Sequence, residues 1–328
     1  MTFETIQSGA INGVGMRQAI TGLFRVLRGT FEAFGVLGRF QPDVVLLTGG
    51  FVGVPMSVAA WVRRVPVVLY LPDIEPGMAL KLMARFATKI ATTTEASAQF
   101  ITRSKMVVTG YPVREAFYET SRASARARFG IAEDEPVVLV FGGSKGARSI
   151  NQAITGQLGA LLQRCVLIHV TGANDFAEVN LACKALPEEQ RSRYRVFKYL
   201  HEEMADAMAA ADLAVCRSGA SALGELPFVG LPAVLVPYPY AWRFQKVNAA
   251  YLVEHGAAVL LEDGKLSVGP GGLVDTLTGL LGDRARLAAM RQQSLALGQR
   301  EGAANIATLM CEVAGRSKSK NSKTSSIN

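Results

Sequence analysis

Residues 137–151 combine the features of an anion-binding turn. An apolar run that predicts a buried strand leads into three glycines, and a helical pattern follows. Gly142, Gly143 and Gly146 let backbone N–H groups approach an anion. Ser144 adds a hydroxyl donor, and the N-terminus of the following helix contributes about half a positive charge. The spacing matches neither a Walker A loop nor a GxGxxG fingerprint, so a tight strand-to-helix turn without a ligand is the alternative interpretation.

A second candidate segment spans residues 211–230. Its pattern predicts a strand that ends at Cys216, a turn at Ser218 and Gly219, and then a helix. Glu225 falls within the second turn of that helix, where a carboxylate can accept hydrogen bonds from both hydroxyls of a ribose. The alternative is a carboxylate that only complements the helix dipole.

The third candidate is the amide pair Gln245 and Asn248, in residues 236–249. The two side chains are three residues apart, so they share one face of the predicted helix. Paired amides on one helix face suit the hydroxyl groups of a sugar.

These segments must be positioned by the elements around them. Short β-branched runs alternate with helical patterns, which is typical of βαβ units and parallel sheets. The predicted strands are Val44–Thr48, Val67–Leu71, Lys89–Thr93, Met106–Thr109, Val137–Phe141, Leu167–Thr171, Arg195–Phe197, Leu213–Cys216 and Ala233–Pro237. Doubly wound sheets bind ligands where their strands end. Chemistry is therefore expected at residues 48–53, 71–77, 110–114, 142–148, 217–221 and 237–248.

Length and composition indicate two domains. The chain has 328 residues, of which 49% are hydrophobic, enough for two cores. Around residues 115–136 the composition turns polar, and residues 121–128 predict an exposed helix before a new strand. The predicted domains are therefore 1–120 and 121–312, followed by a polar, basic tail, 313–328, that is expected to be disordered.

Charge and cysteine content restrict the possible ligands and the cellular compartment less than the motifs do. The net charge of +8 suits nucleic acid, anionic lipid or a phosphate-bearing substrate, and charge alone does not choose among them. The cysteines form no CxxC pair, which indicates neither a zinc site nor a disulfide framework and fits a reducing cytoplasm. No charged leader and no run of about 18 apolar residues is found, so neither export nor a membrane span is expected.

The three candidate segments, in this order, resemble the C-terminal half of the MurG family. Residues 42–55 are similar to that family's GGYxSxP turn and residues 110–114 to its GNPVR motif, so the likeness covers nearly the whole chain. The resemblance implies an α/β fold with two Rossmann-like domains facing a cleft, the GT-B-type glycosyltransferase architecture. The family's first strand and GGTGGH-like loop have no counterpart, so the N-terminal domain is expected to be incomplete.

The resemblance also implies which residues bind UDP-N-acetylglucosamine. Ser144 and Arg114 would contact the diphosphate and sugar, Glu225 the ribose, and the backbone of Leu200 the uracil. A guanidinium at the end of a strand turn also offers phosphate a planar fork, although a solvated surface arginine is the alternative for Arg114. The implied substrate-binding set is Arg114, Gly143, Ser144, Gly146, Leu200, Gly219, Ala220, Ser221, Ala222, Leu223, Glu225, Gln245 and Asn248.

Residues 70–77 depart from the corresponding family motif, HEQNxxxG. Asp73 stands where the family has its asparagine, and the spacing to Gly77 is kept. Because a carboxylate can accept a proton and an amide cannot, Asp73 is the candidate base. A turn-capping carboxylate before a helix is the alternative. None of His169, His201 and His255 matches the histidine of the family's missing loop, so each is expected to be a packing or surface residue.

The function implied by the resemblance is an inverting transfer of N-acetylglucosamine from UDP-N-acetylglucosamine to muramoyl-pentapeptide diphospho-undecaprenol, lipid I to lipid II, in peptidoglycan synthesis. No cofactor or metal is expected, because no Asp-x-Asp pair is suited to bridging Mg²⁺ to a diphosphate. The expected partners are the sugar nucleotide, the lipid acceptor and an anionic membrane surface, with no nucleic acid.

The expected location is cytoplasmic, peripheral on the inner face of the cell membrane. Apolar and basic residues within 54–105, including 62–65 and 80–85, could rest on a bilayer, although ordinary amphipathic packing gives the same pattern. Three other functions remain open at this stage. They are a transferase with another lipid acceptor such as diacylglycerol, a non-catalytic UDP-sugar-binding remnant, and a nucleotide-sugar epimerase.

Overall fold

The computed structural model describes residues 3–9, 16–143, 146–240, 244–267 and 269–325. Contacts divide the chain into two compact units, Met1–Tyr111 with Glu301–Asn328 and Pro112–Arg300. The sequence analysis had placed the boundary at 120/121. It had also assigned residues 301–312 to the second domain, whereas in the structure they pack in the first unit.

The first unit is built on a parallel sheet of four described strands in the order β1-β2-β3-β4. The strands are β1 (Val45–Leu47), β2 (Val67–Leu71), β3 (Lys89–Thr92) and β4 (Met106–Val108). The helices are α1 (Met16–Phe40), α2 (Gly53–Val62), α3 (Met78–Phe86) and α15 (Gly302–Ser325), with 3₁₀ turns at Glu95–Gln99 and Arg103–Lys105.

Strand β2 shows how the sequence builds two cores in this unit. All five of its residues are buried, and alternate side chains point to opposite faces. On one face Val67, Leu69 and Leu71 join a cluster with α1, α2 and α3. On the other face Val68 and Tyr70 pack against apolar residues of α15, namely Ile306, Leu309 and Val313.

The second unit is built on a six-stranded parallel sheet in the order β10-β9-β8-β5-β6-β7. The strands are β5 (Val137–Phe141), β6 (Val166–Val170), β7 (Tyr194–Phe197), β8 (Leu213–Cys216), β9 (Ala233–Leu235) and β10 (Ala258–Leu260). The helices are α4 (Ala116–Glu119), α5 (Arg122–Phe129), α6 (Arg148–Thr155), α7 (Leu158–Leu162), α8 (Phe176–Lys184), α9 (Glu188–Arg191), α10 (Glu203–Ala210), α11 (Glu225–Val229), α12 (Phe244–Glu254), α13 (Leu273–Gly282) and α14 (Arg284–Leu297). Two 3₁₀ turns lie at Ala220–Leu223 and Asp263–Lys265.

This strand order has a topological switch point between β5 and β8. From β5 the chain winds outward through β6 and β7, then crosses to β8 and winds the other way through β9 and β10. Strands β5 and β8 pair in parallel, Val138 with Leu213 through Phe141 with Cys216. In such sheets ligands bind outside the carboxyl ends of the two strands at the switch point, which directs attention to that edge.

All nine predicted strands are confirmed, with ends that differ by at most two residues. The sequence patterns did not predict β10, a three-residue strand that, among the described strands, pairs with β9. Helix α5 is confirmed, and four of its eight residues are exposed, while Ala125 and Arg126 are buried. The burial of Arg126 is compensated, because Asp212 and four backbone carbonyls accept hydrogen bonds from its guanidinium.

The C-terminal segment differs from the disordered tail expected for residues 313–328. Val313 is buried against the first unit's sheet, and helical backbone continues through Ser325. No proline interrupts the segment, so the helix that begins on an apolar face can extend into the Lys- and Ser-rich part. Within the described residues, no helix combines the length and the apolar character needed to cross a bilayer.

Candidate functional site

A cavity of about 870 Å³ lies at the carboxyl edge of the second unit's sheet. It is lined by the segments that follow β5, β6, β8, β9 and β10, and so includes the switch point. Its lining residues are Phe141, Gly142, Gly143, Gly146, Ala147, Arg148, Ser149, Asn174, Asp175, Arg217, Gly219, Ser221, Tyr238, Pro239, Tyr240, Gln245 and Asp263.

The glycine turn after β5 requires its glycines for two different reasons. Gly143 and Gly146 have φ angles of 83° and 80°, in the left-handed region that favours glycine. A Cβ atom at Gly146 would lie 2.2 Å from the carbonyl oxygen of Thr171, whereas one at Gly143 would meet nothing within 4 Å. The backbone N–H of Gly146 donates to the carbonyl of Gly143 at 3.0 Å and closes the turn. Ser144, the predicted hydroxyl donor, lies outside the described residues.

The turn after β8 supplies a second stretch of backbone to the cavity. Gly219 and Ser221 line it, and a Cβ atom at Gly219 would meet open space. Ala222 and Leu223 are buried in the 3₁₀ turn, and neither lines the cavity. Ala220 opens the same turn and is half-buried.

Arg114 and Glu225, which the sequence analysis predicted separately, are in contact. The Nη2 atom of Arg114 lies 3.5 Å from Oε1 of Glu225, and its Nη1 atom donates to the carbonyl of His201 at 2.7 Å. The guanidinium therefore joins the predicted ribose carboxylate to the chain beside Leu200. Leu200 itself is buried. These residues form a cluster beside the cavity and are not on its lining.

Glu225 is the first residue of α11 rather than a residue of its second turn. Its carboxylate is largely buried, at 12% side-chain exposure. Burial raises the pKa of Glu225 above its usual value, and the charge and hydrogen bond of Arg114 lower it in part. Arg114 is thus the neighbouring cation that favours the ionised form of this carboxylate.

The two amides predicted on α12 have different surroundings. Gln245 lines the cavity, and its Oε1 accepts a hydrogen bond from the backbone N–H of Tyr238 at 2.8 Å. Asn248 is fully buried and donates to the carbonyl of Ser218 at 3.2 Å. Gln245 can therefore still present an N–H to a ligand, while Asn248 holds the turn after β8 against α12.

The sequence analysis did not single out a charged triad on the cavity wall. Arg217 donates to Oδ1 of Asp263 at 2.6 Å and to Oγ of Ser149 at 2.8 Å. Ser149 in turn donates to the same Asp263 oxygen at 2.7 Å. Three residues that are distant in sequence meet here, and a short spacing rule cannot find such a set. The only sequence signal was the position of Arg217 directly after a strand.

A buried network of hydrogen bonds supports the cavity wall at Asp175. The side-chain N–H₂ group of Asn151 donates to the carbonyl of Thr171 and to Oδ2 of Asp175, at 2.9 and 2.8 Å. Its oxygen is therefore the acceptor for Nε2 of His169 at 2.9 Å, which places the imidazole proton on Nε2. The Nδ1 atom then accepts from the hydroxyl of Tyr194 at 2.8 Å.

This network keeps His169 neutral. Burial lowers its pKa to about 3, which agrees with an acceptor role for Nδ1. The expectation that His169 is a packing residue is confirmed, and His201 and His255 are exposed surface residues as expected.

Asp73, the candidate base, belongs to the first unit. It is half-buried in the bend that follows β2, and Gly77, rather than Asp73, caps α3. The structure thus groups the predicted residues of the second unit in and beside one cavity and places Asp73 at the carboxyl edge of the other sheet.

The sequence profile of the glycosyltransferase family 28 C-terminal domain matches residues 137–310, more than half of the chain. The chain belongs to glycosyltransferase family 28. The profile of the family's N-terminal domain matches residues 1–92, within the first unit.

Family 28 relatives match this chain over most of its length. A protein of Roseiflexus sp. (strain RS-1) is 39% identical, and the match covers 94% of this chain and 78% of the relative. A protein of Desulforudis audaxviator is 37% identical, with 94% and 84% covered. Both are named UDP-N-acetylglucosamine–N-acetylmuramyl-(pentapeptide) pyrophosphoryl-undecaprenol N-acetylglucosamine transferase. These relatives confirm the resemblance to the MurG family that the motifs indicate.

Solved structures of similar fold include family 28 members and other enzymes. The crystal structure of MurG from Acinetobacter baumannii has a TM-score of 0.69 and 24% identity, over 89% of this chain and 79% of that one. UDP-N-acetylglucosamine 2-epimerase from Neisseria meningitidis has a TM-score of 0.64 and 15% identity, over 91% and 84%. At these identities the comparison shows the fold alone, two parallel-sheet α/β domains of the GT-B type.

Proposed function

We propose that this chain transfers N-acetylglucosamine from UDP-N-acetylglucosamine to N-acetylmuramyl-(pentapeptide) pyrophosphoryl-undecaprenol, with inversion at the anomeric carbon. Relatives that match most of the chain carry the name of this activity. The observation that carries the proposal is the convergence of two backbone turns and Gln245 on one cavity at the switch point.

The second unit would hold the donor. Gly143 and Gly146 after β5, and Gly219 and Ser221 after β8, line the cavity, where backbone N–H groups of the two turns would bind the diphosphate. Glu225 would accept hydrogen bonds from the ribose hydroxyls, and Arg114 would hold it ionised. Because Arg114 spans Glu225 and His201, it would also fix the turn beside the uracil.

The transfer would proceed as a single displacement. The acceptor hydroxyl attacks C1 of the sugar, the bond from C1 to the diphosphate breaks, and the proton of the hydroxyl passes to a base. Asp73 is our candidate for that base. We also propose that fixed N–H donors and the cationic side chains stabilise the departing UDP without a metal, which such preorganised donors can do by several kcal/mol.

A membrane surface is the proposed location of the lipid acceptor. The outer face of α1 exposes Phe24, Leu27 and Phe31 at three- and four-residue spacing, with Phe31 77% exposed. At the end of α2, Trp61 and Val62 are also exposed. Exposed apolar side chains among arginines favour a surface with apolar depth and negative charge. The sequence analysis named residues within 54–105 for this role and did not single out α1.

The membrane proposal can be tested with vesicles of phosphatidylglycerol and phosphatidylcholine. Replacing both Phe24 and Phe31 by serine should lower vesicle binding at least about fivefold, because two large apolar contacts are lost. Leu181→Ser changes an equally exposed apolar residue of α8 in the other unit and should leave binding unchanged. Equal binding by both variants would rule out α1 as the contact surface.

The donor site is tested by calorimetric titration of the whole chain with UDP-N-acetylglucosamine, UDP-glucose and UDP. We expect binding that prefers the N-acetyl sugar and that Glu225→Ala weakens by about tenfold or more, since a charged hydrogen-bond partner is lost. Glu254→Ala removes an exposed carboxylate at the end of α12 and is the control. Absence of UDP binding by the wild type would contradict the proposal, and release of an altered free sugar without acceptor would indicate an epimerase instead.

A further inference from the structure

A second cavity, of about 500 Å³, lies in the same unit at the amino edge of the sheet. Pro136, Asp212 and Pro232, which line it, directly precede β5, β8 and β9. The donor cavity lies at the opposite ends of these strands, about 16 Å away along the five residues of β5. The proposed transfer assigns no role to this second cavity.

Four arginines and four acidic residues line this cavity, and they differ in how far they are already paired. Oδ1 of Asp212 accepts from Arg122 at 2.5 Å, and Oδ2 accepts from Arg126 at 2.9 Å and from the backbone N–H of Val137 at 2.9 Å. Both carboxylate oxygens are therefore engaged. The Nε and Nη1 atoms of Arg126 donate to four carbonyls of the chain, so this guanidinium is already engaged.

Arg291 of α14 is a third guanidinium on the same cavity wall. In the part of the chain that the structure describes, no carboxylate lies within 4 Å of it and no acceptor takes a hydrogen bond from it. Partial burial lowers the pKa of Arg291, and repulsion by Arg122 lowers it further, while Asp212 offsets this only in part. Arg291 is therefore a partly desolvated cation, and a bound anion would offset that desolvation.

The acidic residues of the rim do not fill this role. Glu133 and Asp134 are exposed to solvent. Glu135 accepts from the backbone N–H of Ala132 at 3.2 Å and faces Arg193 at 3.9 Å. Arg284 adds a further cation to the rim, at the first turn of α14.

We propose that this cavity binds a phosphate group, held by Arg291 from α14 and by Arg122 from α5. Guanidinium groups present planar pairs of N–H donors that match phosphate oxygens. The apolar side chains of Leu281 and Leu287 line the same cavity and can accept the uncharged part of a phosphate ester. The shared chemistry is a phosphate oxyanion, whose source is either a small soluble phosphate or an anionic lipid headgroup.

The test uses the full chain and a matched pair of variants on α14. Arg291→Gln removes the proposed ligand, and Arg286→Gln removes an exposed arginine of the same helix that does not line the cavity. Each protein is titrated by calorimetry with inorganic phosphate, and with chloride at equal ionic strength. A second arm measures binding to phosphatidylglycerol vesicles. Contributions from the donor cavity or from α1 are common to both variants and cancel in the comparison.

We expect a phosphate Kd of about 1 mM or tighter, weakened about tenfold in Arg291→Gln and unchanged in Arg286→Gln. In chloride alone, Arg291→Gln should have a Tm equal to or above that of the wild type, because the repulsion between Arg291 and Arg122 is removed. If the difference appears only with vesicles, the phosphate belongs to a lipid headgroup.

Two results would overturn the proposal. One is equal binding of phosphate and equal binding of vesicles by Arg291→Gln and Arg286→Gln. That result would assign the binding to other sites or to an effect of ionic strength. The other is a Tm of Arg291→Gln that is several degrees lower without phosphate, which would make Arg291 a structural partner of Asp212. UDP-N-acetylglucosamine binding should be the same in all three proteins, so failure of this proposal leaves the proposed function untouched.

Discussion

The contact between Arg114 and Glu225 couples a guanidinium to a carboxylate across 111 residues of sequence. The sequence identified both residues by type and by their positions after strands, but it could not show that they meet. The pairing matters because burial raises the pKa of Glu225 and Arg114 opposes that rise. A ribose-binding carboxylate accepts hydrogen bonds best when ionised, so donor affinity should depend on this pair.

As the pH is lowered, donor affinity should therefore begin to fall at a higher pH in an Arg114 variant than in the wild type. We expect the Kd for UDP-N-acetylglucosamine to increase as the pH falls toward the raised pKa of Glu225, by up to about tenfold per pH unit below it. In Arg114→Gln the increase should begin at a higher pH, because the lowering charge is gone. Calorimetric titrations between pH 5 and pH 8 measure both profiles, and coinciding profiles would contradict the coupling.

Glu225→Gln is the control for that titration and carries its own stability prediction. A carboxyl group whose pKa is raised on folding stabilises the protein at low pH and loses that contribution as the pH rises through the folded-state pKa. Glu225→Gln should therefore gain Tm relative to the wild type at pH 8 and not at pH 4. Its donor affinity should be low and independent of pH.

His169 should give the opposite pH dependence. Its pKa is about 3 in the fold and near 6.5 when exposed, so stability is complete above pH 6.5 and falls as the pH decreases below it. Between pH 6.5 and pH 5.5 the wild type should lose about 1 kcal/mol of unfolding free energy that His169→Leu does not lose.

The same variant should be destabilised at neutral pH. His169→Leu leaves the buried Asn151 oxygen and the Tyr194 hydroxyl without their partner, which should cost about 3 kcal/mol. Urea unfolding measures both effects. An identical pH slope in wild type and His169→Leu would show that His169 is not the titrating group.

The turn after β5 contains two glycines, Gly143 and Gly146, with nearly equal φ angles and unequal surroundings. Gly146→Ala should destabilise the second unit by about 3 kcal/mol or more, since its Cβ atom would overlap the Thr171 carbonyl. Gly143→Ala meets open space and should cost about 1 kcal/mol, from its φ angle alone. Chemical unfolding of the two variants compares these costs directly, and equal costs would argue against the close approach.

The sequence predicted the elements better than their surroundings. Buried strands such as Val67–Leu71 and Val137–Phe141 were found to the residue, because long apolar runs between turns have few other interpretations. Strand β10 was missed because three residues carry almost no periodicity. The burial of Arg126 on α5 and the Arg217–Ser149–Asp263 triad were missed for a different reason. Both depend on partners that only the fold brings together.

Helix α15 packs on the sheet of the first unit, although residues 112–300 separate it in sequence from that unit's strands. Leu309→Ala should remove about 2–3 kcal/mol from the first unit, because its side chain packs on the sheet face formed by Val68 and Tyr70. The affinity of the second unit for UDP should not change. Leu181→Ala, at an exposed apolar position, is the control and should stay within about 0.5 kcal/mol of the wild type. If Leu309→Ala lost no more unfolding free energy than Leu181→Ala, the result would argue that α15 packs weakly.

The route of the chain through its two units sets an order of events during biosynthesis. Residues 112–300 form one continuous unit, so that unit is complete when it leaves the ribosome. The first unit must wait, because the sheet face around Val68 and Tyr70 stays uncovered until Ile306 and Leu309 have been translated. The first unit can therefore complete its core only after the second unit has been translated, and until then an apolar sheet face is available to chaperones.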